Sequence, residues 1–136
     1  MLPEAKVPPL EKKKLETILV VEDSEILRTF IVAILDRADF NVISADSGPH
    51  AIELAETMEG RIDLLLTDWD MPEMSGIDFL IRLRADRNQV PFGFITSETS
   101  KGIRELAMSS GATFLISKPF TPEDVQNALI PVLGRC

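Results

Sequence analysis

From Thr17 onward, short apolar runs alternate with longer stretches in which apolar residues recur every three or four positions. The short runs cover residues 18–21, 41–45, 63–67, 92–96 and 113–117. Most are near-continuous in Val, Ile, Leu and Phe rather than alternating, as expected of parallel strands covered on both faces. Between them lie helical stripes. Leu27, Phe30, Ile31, Ile34 and Leu35 form the first, with Ser24 placed to cap it. Ala51, Leu54, Ala55 and Met58 form a second behind Ser47-Gly48-Pro49; Ile77, Leu80 and Ile81 a third; Ile103, Leu106 and Ala107 a fourth. The fifth opens with Thr121-Pro122-Glu123-Asp124, a capping hydroxyl, a proline suited to the first turn and two acids at the positive helix end. Its stripe is Val125, Ala128, Leu129 and Val132, and Gly134 fits a stop. Five β/α pairs without an internal repeat predict an α/β fold, a doubly wound (βα)5 domain with a five-stranded parallel sheet of order 2-1-3-4-5.

Composition narrows the function. The 136 residues suffice for one domain, expected over residues 17–136. Residues 1–16, with Pro3, Pro8, Pro9 and Lys12-Lys13-Lys14, read as a flexible extension outside it. A net charge of −8, from 22 acidic and 14 basic residues, argues against nucleic-acid binding and favours protein partners or a bound cation. The single cysteine, Cys136, excludes an internal disulfide, and the single histidine, His50, excludes a multi-histidine metal site. No apolar run is long enough to cross a bilayer and no signal-peptide core is present, so a cytoplasmic location is expected.

In an open parallel sheet, chemistry gathers at the carboxyl ends of the strands near the topological switch point. The first run ends at Glu22-Asp23, the third at Asp68, the fourth at Thr96 and the fifth at Lys118. Asp46 closes the second, at the sheet margin. Three crowded carboxylates repel unless a cation is present, and Mg2+ suits oxygen ligands that leave room for a phosphate. One carboxylate can then act as a nucleophile and form an acyl phosphate, with the metal, Lys118 and Thr96 stabilising the transferring group. Taken singly, an acid at a strand end is more often a cap, Thr96 a plain strand-end hydroxyl, and Lys118 a solvated charge. Their convergence favours function. Trp69 reads as an exposed-loop or partner-contact residue, His50 as a surface residue, and Met71 and Met74 as loop packing.

The segments Val20-Val21-Glu22-Asp23-Ser24, Thr67-Asp68-Trp69-Asp70-Met71-Pro72, Ile95-Thr96-Ser97 and Ser117-Lys118-Pro119-Phe120 resemble the signature blocks of response-regulator receiver domains, in the right order along essentially the whole fold. The resemblance implies a flavodoxin-like sheet and a CheY-like two-component switch. It makes Asp68 the phosphoacceptor, Glu22 and Asp23 the acidic pair for Mg2+ (Glu22 through water), and Asp70 a metal ligand through its backbone carbonyl. Thr96 becomes the switch hydroxyl, Lys118 the phosphate-binding lysine, and Lys118-Pro119 a cis bond. Asp70 and Glu98 flank the path of the hydrolytic water and tune the lifetime of the phosphoryl group.

One position departs from the pattern. The family often carries Tyr or Phe three residues before the lysine; here it is Leu115, and the chain contains no tyrosine. The expected consequence is a milder rearrangement of the face formed by the fourth helix, the fifth strand and the fifth helix. Such a domain catalyses only its own phosphorylation and dephosphorylation. Its implied partners are a histidine kinase or histidine phosphotransfer protein as donor and a downstream effector protein, with homodimerisation open. Two alternatives stand beside this reading. A phosphatase of the haloacid dehalogenase type shares the Asp68-Trp69-Asp70 opening, but that strand is third here and no cap domain fits. A phosphorylation-independent interaction module would need none of the site residues.

Overall fold

The computed structural model describes residues 15–134, so most of the expected extension over residues 1–16 lies outside the described residues. The element order is β1 (Thr17–Val21), α1 (Glu25–Arg37), β2 (Asn41–Ala45), α2 (Gly48–Thr57), β3 (Leu64–Asp68), α3 (Gly76–Ala85), β4 (Phe92–Thr96), α4 (Lys101–Ser109), β5 (Phe114–Ser117) and α5 (Pro122–Leu133). All five strands run parallel in the order β2-β1-β3-β4-β5, the expected doubly wound sheet. Strand ends moved by one residue. Asp63 is not in β3; its carboxylate instead accepts the Thr17 amide at 2.7 Å, tying the start of β1 to the loop before β3. Thr113 precedes β5, its hydroxyl accepting the Phe92 amide at 3.1 Å.

Alternation along the strands divides the core into two layers. Ile18, Val20, Leu64, Leu66, Ile95 and Ile116 pack with Ile31, Ile34 and Leu35 of α1 and Val125 and Leu129 of α5. Leu19, Val21, Leu65, Phe92 and Phe94 face α2, α3 and α4, meeting Ala51, Ala55, Phe79, Leu80, Leu83 and Ala107. Each of the five described helices is N-capped by a hydroxyl: Ser24, Ser47, Ser75, Ser100 and Thr121, the last in a reciprocal capping box with Asp124. Gly134 ends α5 in the left-handed region at φ 75°. No described helix is long and apolar enough to cross a membrane.

Three stripe assignments need correcting. Phe30, Ile81 and Leu106 are 45%, 51% and 45% exposed, because each sits at the edge of its helix's apolar arc. Phe79 and Leu83 fill the inner face of α3 where Ile81 was expected. Phe30 instead meets Phe120, ring centroids 5.9 Å apart, at the rim of the site.

Gly93 in β4 has no room for a side chain, since a Cβ there would overlap the Phe114 ring on the neighbouring strand. Gly93→Ala is therefore expected to lower stability by about 1–3 kcal/mol. Urea denaturation checks this, and an unchanged midpoint would mean that Phe114 moves aside freely.

Candidate functional site

Strand register builds the site. Val21 of β1 lies opposite Thr67 of β3, Asp68 opposite Ile95 of β4, and Thr96 opposite Ser117 of β5. Glu22, Asp68, Thr96 and Lys118 are therefore brought to one edge of the sheet by strand geometry alone. Main-chain bonds fasten the loops beyond that edge: Trp69 N–H to the Ile95 carbonyl at 3.1 Å, Gly76 N–H to the Trp69 carbonyl at 2.8 Å, and Lys118 N–H to the Thr96 carbonyl at 2.8 Å. Gly76 was not singled out in the sequence, yet a Cβ there would overlap the Asp68 carbonyl oxygen, so only glycine lets α3 start this close to β3. The Lys118-Pro119 bond is cis.

Carboxylate oxygens of Glu22, Asp23 and Asp68 all lie within 4.8 Å of one another, a grouping able to hold a metal ion. Glu22 is 2% and Asp68 5% exposed, whereas Asp23 faces solvent. Oε2 of Glu22 accepts the Ser24 amide at 3.0 Å, while its buried Oε1 has no hydrogen-bond partner among the described residues. A buried, unpaired carboxylate oxygen aimed among other acids is what an oxygen-seeking cation would satisfy. The Lys118 ammonium donates to Oδ1 of Asp68 at 3.1 Å.

Thr96 is 1% exposed and ends β4. Its hydroxyl oxygen accepts the Glu98 amide at 3.0 Å and lies 3.4 Å from the Glu98 carbonyl, so it is engaged by its own loop. Asp70 is exposed two residues past Asp68, where its charge opposes ionisation of Asp68. His50 is exposed and lies 3.4 Å from Asp46, away from the acidic cluster.

Trp69 corrects the expectation of an exposed residue. It is 9% exposed and its ring lies against Phe94, centroids 4.6 Å apart. The reason is alternation: Trp69 continues the Leu65–Thr67 side of β3, the side covered by α2, α3 and α4. Met71 and Met74 pack against the same layer.

Burial dominates the electrostatics. It pushes the Glu22 carboxyl up to about 7; the Ser24 amide opposes the shift, and the nearby Asp68 charge adds to it. Asp68 is also raised by burial, against the Lys118 hydrogen bond and charge, with Asp70 and Asp23 reinforcing the rise. The metal-free site thus retains protons that a bound cation would displace.

A pH dependence follows. The unfolded chain releases the Glu22 proton near its ordinary value of 4.5, whereas the folded chain keeps it to about 7. Glu22 therefore favours folding at acid pH, and this contribution, at most about 3 kcal/mol, is lost as pH rises through that window. Denaturation of the metal-free protein across it is expected to show a slope that Glu22→Gln reduces, with the part from the raised Asp68 carboxyl remaining. Mg2+ should stabilise the native chain more at the alkaline end, where protons no longer compete.

The fold and this edge define a class, and the sequence comparison agrees: the chain belongs to the response regulator receiver domain family, whose model matches residues 18–130. It is 37% identical over 122 residues to chemotaxis protein CheY1 of Helicobacter pylori (strain J99), across 86% of this chain and 96% of that protein. Among solved structures, chemotaxis protein CheY4 of Vibrio cholerae matches with a TM-score of 0.82 at 30% identity, covering 88% of this chain and 99% of that one. The receiver domain of a sensor histidine kinase from Pseudomonas aeruginosa PAO1, with a magnesium ion coordinated in its active site cleft, matches with a TM-score of 0.79 at 29% identity. That match covers 89% of this chain and 99% of the other. The chain is thus a CheY-like receiver domain of two-component signalling, a signalling module rather than a classical enzyme.

Proposed function

We propose that this receiver domain, spanning residues 17–136 with residues 1–16 as an extension, is a phosphorylation switch. Asp68 accepts a phosphoryl group, in the presence of Mg2+, from a histidine kinase or histidine phosphotransfer protein in the cytoplasm. The observation that carries the reading is the setting of Asp68, with carboxylate oxygens of Glu22 and Asp23 within 4.8 Å and the Lys118 ammonium donating to Oδ1 at 3.1 Å. Asp23 and Asp68 would hold the metal directly, Glu22 through water, and Asp70 through its backbone carbonyl; the unpaired Glu22 Oε1 supports that fit. Bound Mg2+ supplies the charge neutralisation that lets an anionic phosphoryl group approach these acids.

The protein's own groups do the rest. An Asp68 carboxylate oxygen attacks phosphorus as the bond to the donor's imidazole nitrogen breaks, and the lone pair stays with the imidazole. Lys118, already on Asp68, moves its hydrogen bond to a phosphoryl oxygen. The Thr96 hydroxyl turns its donation from the Glu98 carbonyl to a second phosphoryl oxygen, and the loop into α4 is thereby released. Asp70 and Glu98 border the path of the water that later hydrolyses the acyl phosphate.

Output then falls to the α4-β5-α5 face. Ala107 is the one fully buried residue of α4, while Leu106 and Met108 are exposed, so this helix is lightly held and presents apolar surface to an effector. Leu115 is half-buried opposite Phe94, and its small side chain makes the shift a modest one. For the donor, Ile26 is 85% exposed three residues past Asp23, and Phe30 and Phe120 extend this apolar rim toward Lys118. Its continuity with the acceptor site fits a phosphodonor protein.

Intact mass after incubation with Mg2+ and phosphoramidate tests the reading. The native chain is expected to gain one phosphoryl adduct that requires Mg2+, and Asp68→Asn none. An adduct persisting in the variant, or absent from a native chain that binds Mg2+, would overturn it. Ile26→Asp should leave this small-molecule reaction unchanged while slowing transfer from a phosphorylated histidine phosphotransfer protein.

A further inference from the structure

We infer that Arg28 is a positioning residue for the cation site, holding the Glu22-Asp23 backbone from behind so that the acidic oxygens stay at Mg2+ spacing. Arg28 lies in the first turns of α1, where its amide makes an early helical bond to the Ser24 carbonyl at 2.8 Å. Its half-buried guanidinium reaches back over that turn, and Nη1 donates to the Glu22 carbonyl at 2.8 Å. The donor goes to main chain and not to any of the three carboxylates nearby. Glu22 is otherwise anchored by its amide on the Ala45 carbonyl at 3.1 Å and by its Oε2 on the Ser24 amide. Arg28 thus closes a third tie on Glu22, the first member of the acidic pair and the residue that directly follows β1.

The placement is odd on charge alone. A guanidinium and the positive end of α1 beside a cation site both oppose cation binding through Coulomb repulsion. Two roles for Arg28 therefore predict opposite signs. If it only compensates the carboxylates in the metal-free state, its removal tightens Mg2+ binding. If it positions them, removal weakens binding, as loss of an outer ligand-orienting contact generally does.

Cation choice gives a second handle. Mg2+ demands near-ideal octahedral spacing, whereas Ca2+ tolerates longer and irregular arrangements. A loosened Glu22-Asp23 backbone should weaken Mg2+ more than Ca2+, while a change of charge, or partial unfolding, would move both together.

The inference rests on the Mg2+ reading above, and calorimetric titration of the full chain with Mg2+ and with Ca2+ separates the two. For Arg28→Met, Mg2+ affinity is expected to fall about tenfold and Ca2+ affinity distinctly less. Arg28→Lys should recover part of the loss, because an ammonium offers a donor without the planar fork. Equal or tighter Mg2+ binding by Arg28→Met, or a parallel loss for both ions, would overturn the positioning role. If Arg28→Met does not fold, Arg28→Lys and Arg28→Gln decide by the same Mg2+ to Ca2+ ratio. A native chain that binds no Mg2+ would count against the metal reading itself.

Discussion

The structure turns on one electrostatic conflict: Glu22 and Asp68 are held nearly out of water within a few ångströms of each other and of Asp23. Burying carboxylates together is unfavourable, and the upward displacement of both buried groups measures that conflict. The hydrophobic layers on either face of the sheet supply the stability that tolerates it, because strands packed so completely cannot splay their ends apart. Lys118 relieves part of it, through a hydrogen bond to one oxygen of Asp68 and through its charge on Asp68 and Glu22. In the proposed switch, the remaining imbalance is what a divalent cation and then a phosphoryl group would relieve.

The same edge is built to respond. Trp69 and Lys118 stitch their loops to β4 through main-chain bonds, and Gly76 ties the start of α3 back to Trp69, which fixes Asp68 and the lysine. Thr96 is the exception, since its hydroxyl is engaged only within its own loop and donates no further than the Glu98 carbonyl at 3.4 Å, a contact easily exchanged for a better acceptor. Beyond that loop lies α4, the helix with the least buried surface anchoring it. On the proposed reading, a rigidly held Asp68 next to a replaceable loop contact and a lightly held helix would give a physical basis for coupling phosphorylation to surface shape.

Much of this was legible in the chain. Near-continuous apolar strands, hydroxyl caps and 3.6-residue stripes dictate the doubly wound sheet, and the sheet dictates which residues share its carboxyl edge. The misses have common causes. Trp69 reads as a loop residue because it follows Asp68 at the end of β3, yet strand alternation extends one residue further and drives it against Phe94. Phe30 and Ile81 satisfy helical spacing but sit at the margins of their arcs, a distinction that depends on how each helix is rotated on the sheet. Arg28 and Gly76 carry no local signature at all; their roles exist only once a backbone carbonyl from another element, Glu22 or Asp68, comes within reach.

The central claim is that the acidic edge takes Mg2+ and that Asp68 then takes the phosphoryl group. A crystal structure of the full chain with Mg2+ and beryllofluoride tests it most directly. The account predicts a metal among Glu22, Asp23, Asp68 and the Asp70 carbonyl, with beryllofluoride on Asp68. Lys118 and Thr96 should both bond to fluorine, and the Glu98 carbonyl should be released. An Asp68 still paired only with Lys118, with no metal among the acids and Thr96 still on Glu98, would contradict it.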